Sequence, residues 1–101
     1  MANAAYNTFG DFEGVGPDMA DHLWRIDMRS KQDITDADPE LMYKQDSELA
    51  GGHLDRCVLY VYRCVNAVCK AEQNNRQLHP DFHKWWNWSD KNLKQRSVEY
   101  V

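Results

Sequence analysis

Apolar side chains recur through the middle of this sequence at a helical spacing. Ala50, Leu54, Cys57, Val61, Cys64, Val68 and Ala71 are separated by 4, 3, 4, 3, 4 and 3 positions, which is a heptad seam. Arg56, Arg63 and Lys70 stand seven apart on the opposite side, so the polar face is equally regular. Val58 to Tyr62, taken alone, would pass for a strand on β-branched and aromatic content. The seam runs well beyond them, and the pattern predicts a helix over about 54–74. Larger seam residues (Leu54, Val61, Val68) alternate with small ones (Cys57, Cys64, Ala71), so a second helix can approach closely. The seam covers only about three heptads, which favours packing inside the chain over a partner helix.

Other elements follow from start and stop signals. Gly16-Pro17 puts proline at a first helical position, with Asp18 and Asp21 in the first turn and Arg25 and Arg29 near the end, matching the helix dipole. Met19, Leu23 and Ile26 share one face and Trp24 borders it, predicting a helix over 17–29. Asp33 to Asp38 reads as a polar loop, after which Asp38 caps a helix over 39–50 begun by Pro39 and ended by Gly51 and Gly52. Pro80 opens a shorter, less regular helical region over 80–94, in which Ser89 caps the last turns. Residues 1–16 have no helical period; three glycines and Tyr6, Phe9, Phe12 and Val15 suggest an extended arm that docks through its aromatics. The expected fold class is all-α: a single domain of three to four helices over 17–101 with a Trp-rich tail, preceded by the arm.

Composition narrows the function classes. A chain of 101 residues holds one core. Its longest apolar run, Cys57 to Tyr62, falls far short of the roughly 20 residues that span a bilayer. The first 24 residues lack Lys and Arg but carry Asp11, Glu13, Asp18 and Asp21, the opposite of a secretory or transit sequence. With three cysteines, an odd number, the expected setting is an intracellular reducing compartment, or an organelle interior reached without a classical presequence. Residues 1–50 hold eleven acids against four bases, and residues 51–101 hold five against eight. That small, scattered basic excess argues against nucleic acid as a partner.

Sites for chemistry are sparse. Asp33, Asp36 and Asp38 invite a calcium loop, but a twelve-residue frame from Asp33 ends on Lys44 and one from Asp36 on Ser47, with no glycine at the sixth position. Helix capping explains these carboxylates better. Gly10, Gly14 and Gly16 fail as a phosphate cradle because Asp11 and Glu13 would repel phosphate and no Lys follows. His53 with Cys57 and His79 with His83 are i, i+4 pairs that would make a four-ligand zinc site if they met in space. Seam cysteines read as small apolar groups, and the paired CX9C and CX3C spacings of small mitochondrial subunits are absent. Without a recognisable catalytic motif, no catalytic, cofactor-binding or metal residue is assigned, and the chain is expected not to be an enzyme.

The most unusual local feature is Trp85-Trp86-Asn87-Trp88. Successive helical side chains turn by about 100°, so three such rings cannot all face one small core, and at least one belongs on the surface. Tryptophan is enriched at interface hot spots. The expected interface residues are therefore Trp85, Trp86 and Trp88 in the tail with Phe9 and Phe12 in the arm. The expected function is protein binding, as an accessory or structural subunit of a larger multiprotein assembly, with a membrane-associated energy-converting complex as one conceivable home. Peripheral membrane contact is left open. The alternatives are a small phage or bacterial inhibitor that masks its target and a small zinc-binding domain.

Overall fold

The computed structural model describes residues 4–101. The elements in chain order are α1 (Ala4–Phe9), α2 (Pro17–Arg25), α3 (Lys31–Thr35), α4 (Pro39–Ala50), α5 (Arg56–Gln73), two 3-10 turns (Pro80–His83 and Trp85–Trp88) and α6 (Asp90–Gln95). The fold is all-α. Beyond the helices, one isolated antiparallel bridge is found among the described residues, Leu78 to Tyr100, which ties the C-terminus back to the segment after α5.

Caps decide where the helices begin and stop. Asp38 accepts the Glu40 amide at 2.9 Å, and Gly51, at φ 81°, closes α4, as the sequence led us to expect. The expected helix over 17–29 is shorter. Asp27 adopts a left-handed φ of 67°, its amide donates to the Trp24 carbonyl, and Met28 N donates to the Leu23 carbonyl at 3.0 Å. This is a Schellman stop without glycine, and only glycine would have announced it. Asp55 accepts the Cys57 amide and so starts α5 at Arg56, two residues later than the seam implied. Within the expected polar loop, Ser30 caps the five-residue α3 by accepting the Asp33 amide, and Ile34 of that helix is fully buried.

Helix α5 is the centre of the molecule. Val61, Cys64, Val68 and Ala71 are buried as the seam requires, but so are Val58, Leu59, Tyr62, Val65 and Cys69. The seam is an internal one, and it is wider than a heptad stripe because α3, α4 and the 3-10 turns pack around α5. Two expected members lie elsewhere: Ala50 is exposed at the end of α4 and Leu54 sits half-buried in the connection, since Gly51 and Gly52 break the helix between them. Asn66 of α5 is buried and donates to the carbonyls of Ile34 (2.7 Å) and Ala37 (3.0 Å), fastening the end of α3 to α5.

The N-terminal segment is not an extended arm. Residues 4–9 form α1, and Ala5, Phe9, Phe12 and Val15 belong to the main core. Six residues are too few for a sequence period to show, and their helicity comes from packing: the Phe9 ring meets Trp24 of α2 edge-on at 6.3 Å.

The turn between α1 and α2 is held from the other end of the chain. Gly14 has a φ of 85°, and a methyl group added there would lie 2.7 Å from Cδ1 of Trp85. Left-handed backbone and close approach together demand glycine. Gly14→Ala is expected to cost about 1–3 kcal/mol and to lower the melting temperature by roughly 5–15 °C. Gly52→Ala, with open space around it, should change stability by less than about 0.5 kcal/mol. Equal melting temperatures for Gly14→Ala and the parent would contradict this packing.

Candidate functional site

Of the five aromatic residues expected at an interface, three are core. Phe9 is 0% exposed, Phe12 9% and Trp88 7%. Trp88 stacks edge-on against Phe82 at 5.5 Å, and its indole N–H donates to the Phe82 carbonyl at 2.8 Å, so the ring and its polar tip are both satisfied within the chain. Trp85 is partly buried, wedged over Gly14. Trp86 alone stands out, at 49% exposed. The requirement that one ring of the trio lie outside holds, but the surface candidates contract from five residues to Trp86 and the free edge of Trp85.

Trp86 is on a fixed platform. Its ring stands perpendicular to Trp85 at 5.8 Å, and its carbonyl accepts the Asn92 side chain at 2.9 Å and the Ser89 amide. Ser89 caps α6 by accepting the Asn92 amide at 3.2 Å. Arg63 of α5 reaches over to the Trp88 carbonyl (3.0 Å), Asp90 (2.9 Å) and Glu40 (2.7 Å), fastening the tail to α4 and α5. Arg56 also contacts Asp90, and hydrogen bonds first from Arg56 and then from Arg63 hold that carboxyl below its usual range.

Beside this platform lies a cleft of about 320 Å³. Phe12, Cys64, Val65 and Val68 supply apolar lining. Asp11 and Glu13 from the α1–α2 turn, Lys31 from α3, Glu72 from α5 and His83 supply the polar rim. A second depression of about 290 Å³ shares Val68, Glu72 and His83 with it and is lined further by Ala71, Gln77, Leu78 and Arg76, whose guanidinium lies 3.8 Å over the Tyr100 ring. Lys31 bridges to Glu72 at 3.3 Å and lies 5.4 Å over the Phe12 ring. Burial, reinforced by the Glu13 charge, pushes the Cys64 thiol up to about 12, and its Sγ faces the carbonyls of Phe82 and His83 at 3.4 Å.

The other candidate chemistry does not assemble. Among the described residues no group of three or more His, Cys, Asp and Glu side chains could hold a metal ion, so His53, Cys57, His79 and His83 do not converge. His79 instead caps the first 3-10 turn, accepting the Asp81 amide at 3.1 Å. Cys57, expected to pack as a small apolar group, is exposed, because α5 starts only one residue before it. Among the described residues no helix is long and apolar enough to cross a membrane. Sequence reasoning missed the buried Asp46 altogether: its carboxylate accepts from His22 Nδ1 (2.7 Å), Arg25 Nε (3.0 Å), the Arg25 terminal nitrogen and the Tyr62 hydroxyl.

These surroundings set a testable order of thiol reactivity. The thiolate is the reacting species, and burial is the main cause that raises Cys64 to about 12 and Cys69 to about 11. At pH 8 the thiolate fraction at Cys64 is then about one in ten thousand. A disulfide reagent such as Ellman's should modify Cys57 in the folded protein, with a rate that climbs as pH rises, and should reach Cys64 and Cys69 only through unfolding. Both buried thiols bind their protons more tightly folded than unfolded. Their contribution to stability is therefore complete below the ordinary thiol range and declines as pH rises through about 9 toward 11 and 12. A second thiol reacting natively as fast as Cys57 would contradict the assignment.

No curated protein and no solved structure matches the chain. The profile of one family, described as Cdd1, pathogenicity locus, matches residues 2–94, which is nearly the whole sequence, core helices and tryptophan platform included. The chain belongs to the Cdd1 pathogenicity-locus family.

Proposed function

We propose that this chain is a non-catalytic protein-binding protein, an accessory or structural subunit of a multiprotein assembly, whose contact surface centres on Trp86. The observation that carries the reading is a half-exposed tryptophan on a platform locked by Trp85, Asn92 and Ser89. A rigid aromatic gives up little conformational entropy on binding, which is what makes tryptophan effective at the centre of interfaces. Covering the exposed half of the indole removes on the order of 100 Å² of apolar surface from water, about 2–3 kcal/mol before the costs of association. The protonated, buried thiols at Cys64 and Cys69 support a binding role over nucleophilic chemistry.

The single-residue variants separate contact from core. Trp86→Ala should weaken partner binding by about 2 kcal/mol while leaving the melting temperature unchanged. Trp88→Ala should cost about 3–5 kcal/mol of stability, because it empties a core position and leaves the Phe82 carbonyl with only the weak Cys64 thiol as donor. Binding isotherms read beside thermal melts test both. Unchanged affinity in Trp86→Ala would move the contact surface elsewhere.

A further inference from the structure

The cleft beside the platform has a charge pattern that defines what it takes. Glu72 is satisfied by Lys31 within the chain. Asp11 and Glu13 are exposed on the lip, and among the described residues neither has an ion-pair partner. The lining beneath is apolar. Lys31 displays the recognition on a small scale: one ammonium against the Phe12 ring and a carboxylate, at 5.4 and 3.3 Å. The α5 positions along the cleft and its continuation, Cys64 to Glu72, span about 12 Å of helix, the length of three to four extended residues. The lip also adjoins the platform, since Gly14, next to Glu13, packs on Trp85.

We propose that this cleft binds a short extended segment of a partner protein in which Arg or Lys alternates with aliphatic residues. The basic side chain pairs with Asp11 and Glu13, and the aliphatic ones cover Phe12, Val65 and Val68. The inference rests on the protein-binding reading and names the chemistry of the partner. A peptide is favoured over a small ammonium ion because the depression runs on past Val68 toward Leu78 instead of closing around a single group.

The test is a heteronuclear NMR titration of the full chain with the blocked peptide Ac-ALRLRA-NH2, its acidic counterpart Ac-ALELEA-NH2, and arginine amide. The basic peptide should give saturable shifts at Val65, Val68 and Ala71 that weaken with salt. The variant combining Asp11→Asn with Glu13→Gln, both at exposed positions, should keep the parent melting temperature and bind the basic peptide about fivefold more weakly. Absence of saturable shifts, equal binding of the acidic peptide, or undiminished affinity in the double variant would overturn the proposal. Arginine amide binding as tightly as the peptide would replace the segment with a small cation and so overturn it too. Trp86→Ala assayed against the protein's partner keeps the two readings apart: a loss there with a silent peptide titration defeats the cleft alone.

Discussion

A single carboxylate with no exposure to water sets the arrangement of this molecule. Asp46 of α4 is 0% exposed, and removing an ionised group from water costs several kcal/mol unless every lone pair finds a donor. Here the donors are found: Arg25 takes one oxygen through two nitrogens, while His22 and Tyr62 take the other. His22 Nδ1 stands 2.7 Å from that second oxygen and 2.9 Å from the Arg25 terminal nitrogen, so the imidazole joins the carboxylate and the guanidinium in one polar cluster. Burial, then the hydrogen bond to Asp46, raises the Tyr62 hydroxyl far above the ordinary phenol range, so it remains a donor throughout. Three helices that are separate in sequence, α2, α4 and α5, are thereby fixed at one point.

The rest of the candidate surface follows from that fixation. With α2 held against α4 and α5, the turn preceding it carries Phe12 and Val15 into the core and leaves Asp11 and Glu13 on the outside. Gly14 then meets Trp85, which brings the N-terminal turn and the tryptophan platform together. Arg63 performs a related task at the other side of α5 by joining Glu40, Asp90 and the Trp88 carbonyl. The proposed contact features, Trp86 and the cleft beside it, are therefore products of polar contacts that lie behind them rather than of local sequence.

What the sequence makes legible is whatever depends on local chemistry. Helix α4 could be read to the residue because Asp38, Pro39 and Gly51 are each specific to their cap positions. Helix α5 could be read from its period, although its buried face is wider than the seam. The helix α1 and the five-residue α3 could not, because elements so short carry no period and depend on tertiary packing. Asp46 and Asn66 were invisible for a different reason: a polar residue in a helix reads as solvent-facing, and its burial depends on donors or acceptors from other elements. The tryptophan run shows the same boundary. Geometry demands that one ring be outside, but which one depends on partners distant from the run: the Phe82 ring and carbonyl hold Trp88 in the core, while Trp86 is left half-exposed.

The central claim is that the donors around Asp46 act as one unit across three helices. A double-mutant cycle in urea unfolding tests it most directly, using Tyr62→Phe from α5 and Arg25→Met from α2, two residues linked through the Asp46 carboxylate. The account predicts a coupling energy of at least about 1 kcal/mol, since each variant leaves the carboxylate dependent on the donors that remain. Additivity within about 0.3 kcal/mol would contradict it, and would mean that the α2 and α5 donors act on the carboxylate independently.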